Sequence, residues 1–513
     1  MTEVFFLFFK KISRESVFRS LIFLTVSNIL LQLLGFAYRI FLSRMTGPEG
    51  MGIYQLIMPF YSFISSLTLT GLTVAVARIS AARHGVGDFF GARKCAAHAF
   101  RIFAFSLLSI SILTFISRRF ICRTLLGDVR TSLALPFLFI CLFLTGFENI
   151  LKNYFYGVER VAPQITSELS EQGIRFFAVA ALLFTFGSSD PAISALLIVL
   201  GMVISELSSS FLLHLFFRFE KKPAAKKVNK APKVREILSV SIPISASQSI
   251  NNLLSLLNSS LIPKRLCAAG LTRAAATESF GVVFGMTMPL LSFPIAFIAS
   301  LTSVMVPRLS SSKAKADFSD MRRKAAKTIH ATGLCAMPLM AIMIPLASPL
   351  GELLFSYSSA NSLIFPLCVA TLISYYEISL GALLNAVGKQ KRSAVYTILG
   401  GCLQLAFTWA VGIEGVGLRA FAIGAIVSNA VTAVLQFLCL CRTLSLSPRF
   451  SNWFLSPLLA STLSALLTKI IYTYSSSIFI SAAIGLIAYG IALTALGTNP
   501  IRYVKTLIPK NER

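Results

Sequence analysis

Long apolar runs constrain this chain more than any other feature. A helix that crosses the hydrocarbon of a bilayer needs about 20 consecutive, mostly apolar residues. The cores of such runs recur at residues 133–144, 192–204, 363–376 and 478–496. Breaking the sequence at Pro, Gly and charge clusters predicts about fourteen spans, beginning near Leu21, Gly52, Ala96, Thr131, Pro163, Pro191, Ile237, Ser279, Ala326, Ser362, Ser393, Val416, Trp453 and Ser477. With 55% hydrophobic and 13% charged residues and a mean hydropathy of +0.77, the composition lies outside that of water-soluble domains. The expected fold is all-α: a polytopic membrane protein of about fourteen transmembrane helices, arranged as two parallel-repeat six-helix bundles plus two C-terminal helices.

A formal charge of +27 raises nucleic acid as a partner, and the positions of the cations decide against it. They fall in the loops. With a cytoplasmic N-terminus, about 35 of the 47 Lys and Arg lie on the cytoplasmic side and about 10 outside, which is the positive-inside asymmetry. The surplus charge therefore reports topology and contact with anionic lipid, and both termini are expected in the cytoplasm, with the protein in the cytoplasmic membrane. Arg118, Arg119, Arg123 and Arg130 form the exception, a basic cluster that this topology places outside and whose sidedness the pattern leaves open. The nine cysteines include no CxxC pair and lie mostly in apolar runs, where they serve as small buried side chains. Four scattered histidines offer no ligand spacing. Phe5, Phe6, Phe8 and Phe9 precede Lys10, Lys11, Arg14 and Arg19, the reverse of a signal peptide's order, and read as an interfacial segment.

The expected organisation is an interfacial segment at 1–20, an N-terminal bundle at 21–219 and a basic cytoplasmic linker at 220–236. A second bundle follows at 237–442, then two additional helices at 443–500 and a basic tail at 501–513. The two bundles share landmarks at a nearly constant offset. Met58-Pro59 matches Met288-Pro289, Arg78-Ile79-Ser80 matches Arg308-Leu309-Ser310, Asp88-Phe89 with Arg93-Lys94 matches Asp317-Phe318 with Arg322-Arg323, and Gly157 matches Gly388. Six spans return the chain to the same side, so such copies are parallel repeats, the construction of transporters that rock two bodies around a shared wet site.

Charge at mid-bilayer costs about 2.5–3.5 kcal/mol on insertion scales, so each polar group within a span needs a reason. The first span holds Asn28, Gln32, Tyr38 and Arg39, of which 28, 32 and 39 share a helical face. The fifth holds Glu168, Glu171, Gln172 and Arg175 on one stripe; Glu171 and Arg175 have the spacing of an i,i+4 ion pair, leaving a structural pair open beside a binding role. The seventh adds Gln248, Asn251, Asn252 and Asn258, with Lys264 and Arg265 at its far end. Glu206, Glu377 and Lys469 also fall within or near spans, and Gly281 with Gly285 forms a GxxxG pattern that reads as close helix packing. No Walker loop, HExxH, nucleophile elbow or aspartate-rich metal motif occurs, so an enzyme, a metal and a cofactor are not expected.

The segments Gly35-Phe-Ala-Tyr-Arg39, Leu42-Ser-Arg44 and Gly47-Pro-Glu-Gly-Met-Gly-Ile-Tyr-Gln55, with Tyr154-Phe-Tyr-Gly157, Ser170-Glu-Gln172, Leu261-Ile-Pro-Lys-Arg265 and Val306-Pro-Arg308, resemble the stage V sporulation protein B branch of the polysaccharide exporters. That group lies within the multidrug/oligosaccharidyl-lipid/polysaccharide (MOP) exporter superfamily. The resemblance implies fourteen helices in two bundles and movement of undecaprenyl-pyrophosphate-linked saccharides across the cytoplasmic membrane, with lipid II as the leading cargo. The related lipid II flippases use cavity arginines in spans one, two and eight. Arg39 matches the first, displaced by one residue, while the other positions fall near Phe63 and Ile64 and near Pro289. A pyrophosphate and sugar headgroup cannot shed water into hydrocarbon without partners; Arg39, Arg175 and Arg265 are candidates to pair the phosphates, and the Asn and Gln side chains to meet sugar hydroxyls. The partners expected are thus a lipid-linked saccharide and membrane lipid, with a coupling ion, Na⁺ or H⁺, left open and nucleic acid excluded. A cation-coupled drug exporter calls for a carboxylate in the first or seventh span, and neither has one. A polyprenyl-lipid glycosyltransferase calls for a longer extramembrane loop than any here, and a non-transporting partner of a sporulation or cell-wall complex stays open.

Overall fold

The computed structural model describes residues 17–220, 233–292, 294–355, 361–447 and 450–497. The expected N-terminal interfacial segment, most of the basic linker and the basic tail lie outside the described residues. Those described are helical almost throughout, and no strand occurs among them. Twelve helices are long and apolar enough to cross a membrane. One of these, Leu30–Gly85, contains two of the expected spans, and the expected seventh, rich in amides, is not counted. Fourteen therefore stands as an approximate number.

The helices are α1 (Val17–Ser65), α2 (Gly71–Gly85), α3 (Phe89–Ile116), α4 (Leu135–Gly157), α5 (Val161–Phe186), α6 (Pro191–Arg218), α7 (Val234–Ala268) and α8 (Arg273–Gly281). They continue as α9 (Met288–Ser292), α10 (Ile295–Ala314), α11 (Phe318–Phe355), α12 (Asn361–Ala386), α13 (Gln390–Trp409), α14 (Leu418–Leu444), α15 (Ser456–Ser475) and α16 (Ile478–Ala495). Local chemistry sets their ends. Gly47 breaks α1 with φ 66° and ψ 177°, a conformation only glycine adopts without strain, and Pro48 restarts the helix where its missing N–H costs nothing. Asp88, Asp190 and Ser477 cap α3, α6 and α16 by accepting from the backbone N–H groups of Gly91, Ala192 and Ile480.

The chain divides into two compact units, Met1–Lys264 with Thr272–Gly281, and Arg265–Leu271 with Val282–Arg513. The first is built around Ile53, Ile57, Phe60, Phe103, Leu138, Leu142, Leu151 and Phe155. Close backbone approach tightens it: a Cβ on Gly281 would strike the Pro48 carbonyl, one on Gly71 the Ser241 carbonyl, and one on Gly146 the Phe103 ring. The second unit is built around Leu309, Met321, Ile329, Leu380, Leu384, Leu440 and Trp453, and in its C-terminal pair the Ser464 hydroxyl donates to the Gly485 carbonyl at 2.7 Å. Large apolar side chains such as Phe105, Phe177, Phe184 and Phe479 are exposed, while Glu148, Lys152 and Glu206 are buried. That inversion of a soluble protein is what lipid as solvent demands.

Turns at the expected repeat landmarks have matching geometry in the two units. In the first, Gly87 takes a left-handed conformation and Asp88 N–H donates to the Arg83 carbonyl; in the second, Ala316 does the same and Asp317 N–H donates to the Ser312 carbonyl. Two helices later Arg160 N–H donates to Phe155 and Lys389 N–H to Leu384, with Glu159 and Gly388 left-handed. Both are helix-terminating turns whose left-handed residue favours glycine. The structural counterpart of Gly388 is thus Glu159, two residues beyond the Gly157 that the sequence matching selects; Gly157 is instead a close-packing residue against Ala77 and Ser80. Glu159 is exposed and carries φ 59°, so Glu159→Gly is expected to raise stability by about 1 kcal/mol, read as an upward shift of the thermal transition in detergent.

The outlying basic cluster is partly neutralised locally. Arg130 pairs with the buried Asp128 at 2.8 Å and with Glu49 at 2.6 Å, carboxylates that hold its guanidinium still more firmly protonated than usual. Arg118 donates to the Ser132 carbonyl at 2.9 Å, and Arg119 and Arg123 are exposed.

Candidate functional site

A charged cluster lies inside the first unit, at the mid-lengths of α4, α5 and α6. Glu148 and Lys152 sit one turn apart on α4, with the Lys152 ammonium 2.6 Å from Glu148, 3.3 Å from Glu171 and 3.8 Å from Glu168. Arg175, on α5, forms the predicted i,i+4 pair with Glu171. It also reaches α6, at 3.2 Å from Glu206 and 3.3 Å from the Ser205 hydroxyl. Ser209 donates to Glu148. Oxygens of Glu148, Glu171 and Glu206 all lie within 4.8 Å of one another. Four carboxylates thus face two cations, and one oxygen of Glu206 has no hydrogen-bond partner although the residue is only 4% exposed.

Tyrosines of α1 line the same interior. Tyr61 donates to Thr145 at 2.8 Å, Tyr54 meets the Met202 sulfur at 3.9 Å, and Tyr38 and Tyr54 lie close enough to Arg175 to feel its charge. The Tyr38 hydroxyl is buried without a partner. A metal would have to share these carboxylate oxygens with an ammonium and a guanidinium already in contact with them, so the donor set does not fit one.

The remaining candidates are dispersed. Gln32 and Arg39 are exposed on α1, whereas Tyr38 is buried, and the side chain of Asn28 lies outside the described residues. Gln172 is half-buried beside Glu171. On α7, Asn252 donates to the Ser62 carbonyl at 3.1 Å and Asn258 to Leu254 of its own helix at 3.1 Å, while the Asn251 amide oxygen is buried without a partner. Arg265 belongs to the second unit, where it stacks 4.4 Å over the Trp409 ring and donates to the Trp409 carbonyl at 2.9 Å. Glu206 joins the cluster, Glu377 is half-buried on α12 and Lys469 is exposed on α15. Sequence reasoning passed over Glu148 and Lys152, whose i,i+4 spacing within an otherwise apolar span was the available signal.

A family model described as polysaccharide biosynthesis protein matches residues 17–313, more than half of the chain. The chain belongs to that family. It is 22% identical over 451 residues to stage V sporulation protein B of Bacillus subtilis, covering 86% of this chain and 87% of that one. To lipid II flippase MurJ of the same organism it is 18% identical over 417 residues, covering 76% of each. Among solved structures, an inward-facing multidrug resistance MATE family transporter of the MOP superfamily matches with a TM-score of 0.67 at 18% identity, covering 82% of this chain and 98% of that one. A MOP superfamily transporter from Pyrococcus furiosus, described as having a binding pocket of reverse polarity, matches with a TM-score of 0.60, covering 84% and 97%. The family member has the fold of the MOP superfamily.

Proposed function

We propose that this protein is a flippase that moves lipid-linked oligosaccharide or peptidoglycan precursors, undecaprenyl-pyrophosphate-linked and like lipid II, across the cytoplasmic membrane by alternating access, with both termini cytoplasmic. The family match carries the proposal, because a polysaccharide pathway needs its polyprenyl-linked intermediates on the far side of a barrier their headgroups cannot cross unaided. The likeness to a lipid II flippase supports the cargo class. Alternating access calls for two bodies, each rigid by itself, and each unit has its own core and the same pair of helix-terminating turns.

Arg39 is the first candidate for the pyrophosphate, since it is exposed and has no ion pair among the described residues. Arg175 would first have to release Glu171 or Glu206. The test is translocation of a fluorescent lipid II headgroup in proteoliposomes. Arg39→Ala is expected to slow it about tenfold to a hundredfold, the loss of one or two charge-assisted hydrogen bonds, with Arg39→Lys retaining part of the rate. Unchanged rates in Arg39→Ala would remove the binding assignment, and transport of cationic drugs in place of the headgroup would favour a multidrug exporter.

A further inference from the structure

The cluster in the first unit carries a surplus that its own cations do not cancel. Structural ion pairs balance: a buried carboxylate is tolerated when a cation and hydrogen bonds meet its oxygens. Lys152 is nearest Glu148 and also contacts Glu171 and Glu168, and Arg175 serves Glu171 and Glu206. That leaves Glu206 holding a share of one guanidinium through one oxygen and nothing at the other. An oxygen of Glu148 lies within 4.8 Å of one of Glu206, and two buried carboxyls that close cannot both stay ionised, so the pair with the unmet oxygen holds a proton most readily.

We propose that Glu148 and Glu206 form a proton site, holding one exchangeable proton between their carboxyls while Lys152, Arg175 and Ser209 fix the pair in place. The idea rests on the transporter reading and names its coupling ion. Among the described residues Lys152 and Arg175 are the cations in contact with these carboxylates; from the packed helices α4 also contributes Cys141, α5 Glu168 and Glu171, and α1 Tyr38, Tyr54 and Tyr61 with Arg39 near Tyr54. Removing the proton would place two bare carboxylates side by side near the middle of two spans, so that Arg175 must re-pair or α6 must shift against α4 and α5. Proton occupancy thereby biases the packing of the unit, which is what coupling requires.

Infrared spectroscopy of the purified full-length protein, titrated with base, tests the site without any substrate. The wild type is expected to show, at neutral pH, the carbonyl-stretch band of a protonated carboxyl, with a component lost in both Glu206→Gln and Glu148→Gln. If one variant fails to fold, the other decides. The same component in the folded variants as in the wild type would overturn the proton site, and so would its disappearance on adding Na⁺ at constant pH, which would assign the pair to a metal cation. In proteoliposomes an imposed proton gradient is expected to speed headgroup movement by the wild type and not by Glu206→Gln. Absence of any headgroup movement with the band intact would sink the flippase reading alone, whereas loss of the band would leave that reading standing.

Discussion

Arg175→Ala is expected to destabilise the protein by about 3–5 kcal/mol, the cost typical of removing one partner from a buried ion pair. The guanidinium is the only cation within hydrogen-bonding reach of Glu206 among the described residues, and it shares Glu171 with Lys152. Its loss leaves Glu206, only 4% exposed, with no cation in contact among the described residues. The measurement is the thermal transition of the detergent-solubilised variant, accompanied by its yield from the membrane. The mechanism has a specific signature: Arg175→Met combined with Glu171→Gln and Glu206→Gln removes charge of both signs and is expected to recover much of the loss. A triple variant no more stable than Arg175→Ala would mean that the arginine contributes by packing rather than by charge.

Gly281→Val should be the most damaging single change outside the cluster. A side chain there would meet the Pro48 carbonyl oxygen, with the Gly52 nitrogen at 2.8 Å and the Pro48 carbonyl carbon at 2.9 Å. All three are backbone atoms of α1, at the point where Gly47 breaks the helix. They cannot move aside as a flexible side chain could, so the cost falls at about 3 kcal/mol or more, the upper end of overpacking. Gly173→Ala supplies the control, since a Cβ at that site has no neighbour within 4 Å; alanine there is expected to be neutral or to stabilise by up to about 1 kcal/mol. Comparable thermal transitions for the two variants would show that α1 and α8 are not in obligate backbone contact.

Much of the architecture was already written in the order of residues. Apolar length requires a bilayer and helices, because a backbone in hydrocarbon must satisfy its own hydrogen bonds. Spacing alone foretold the Glu171–Arg175 pair, and the Asp88 and Asp317 landmarks fall at turns with the same backbone hydrogen bond. Whether Arg39 and the seventh-span amides meet a cargo was beyond that evidence, since helical spacing says which residues share a face and not what the face looks at.

Tertiary structure alone decided that Glu148, Glu171 and Glu206 converge. They lie on three different helices, and no periodicity within one helix encodes the rotation of its neighbours, which is set by how side chains interlock across the seams. It likewise decided that Glu159, and not Gly157, occupies the left-handed position matching Gly388. Residue type signals a favoured conformation, but the hydrogen bond that ends a helix depends on backbone geometry that glutamate can be made to accept. Sequence therefore determined the solvent and the element type, through effects that act within a single span. The charged interior of the first unit arises from contacts between spans, where packing, not propensity, sets the distances.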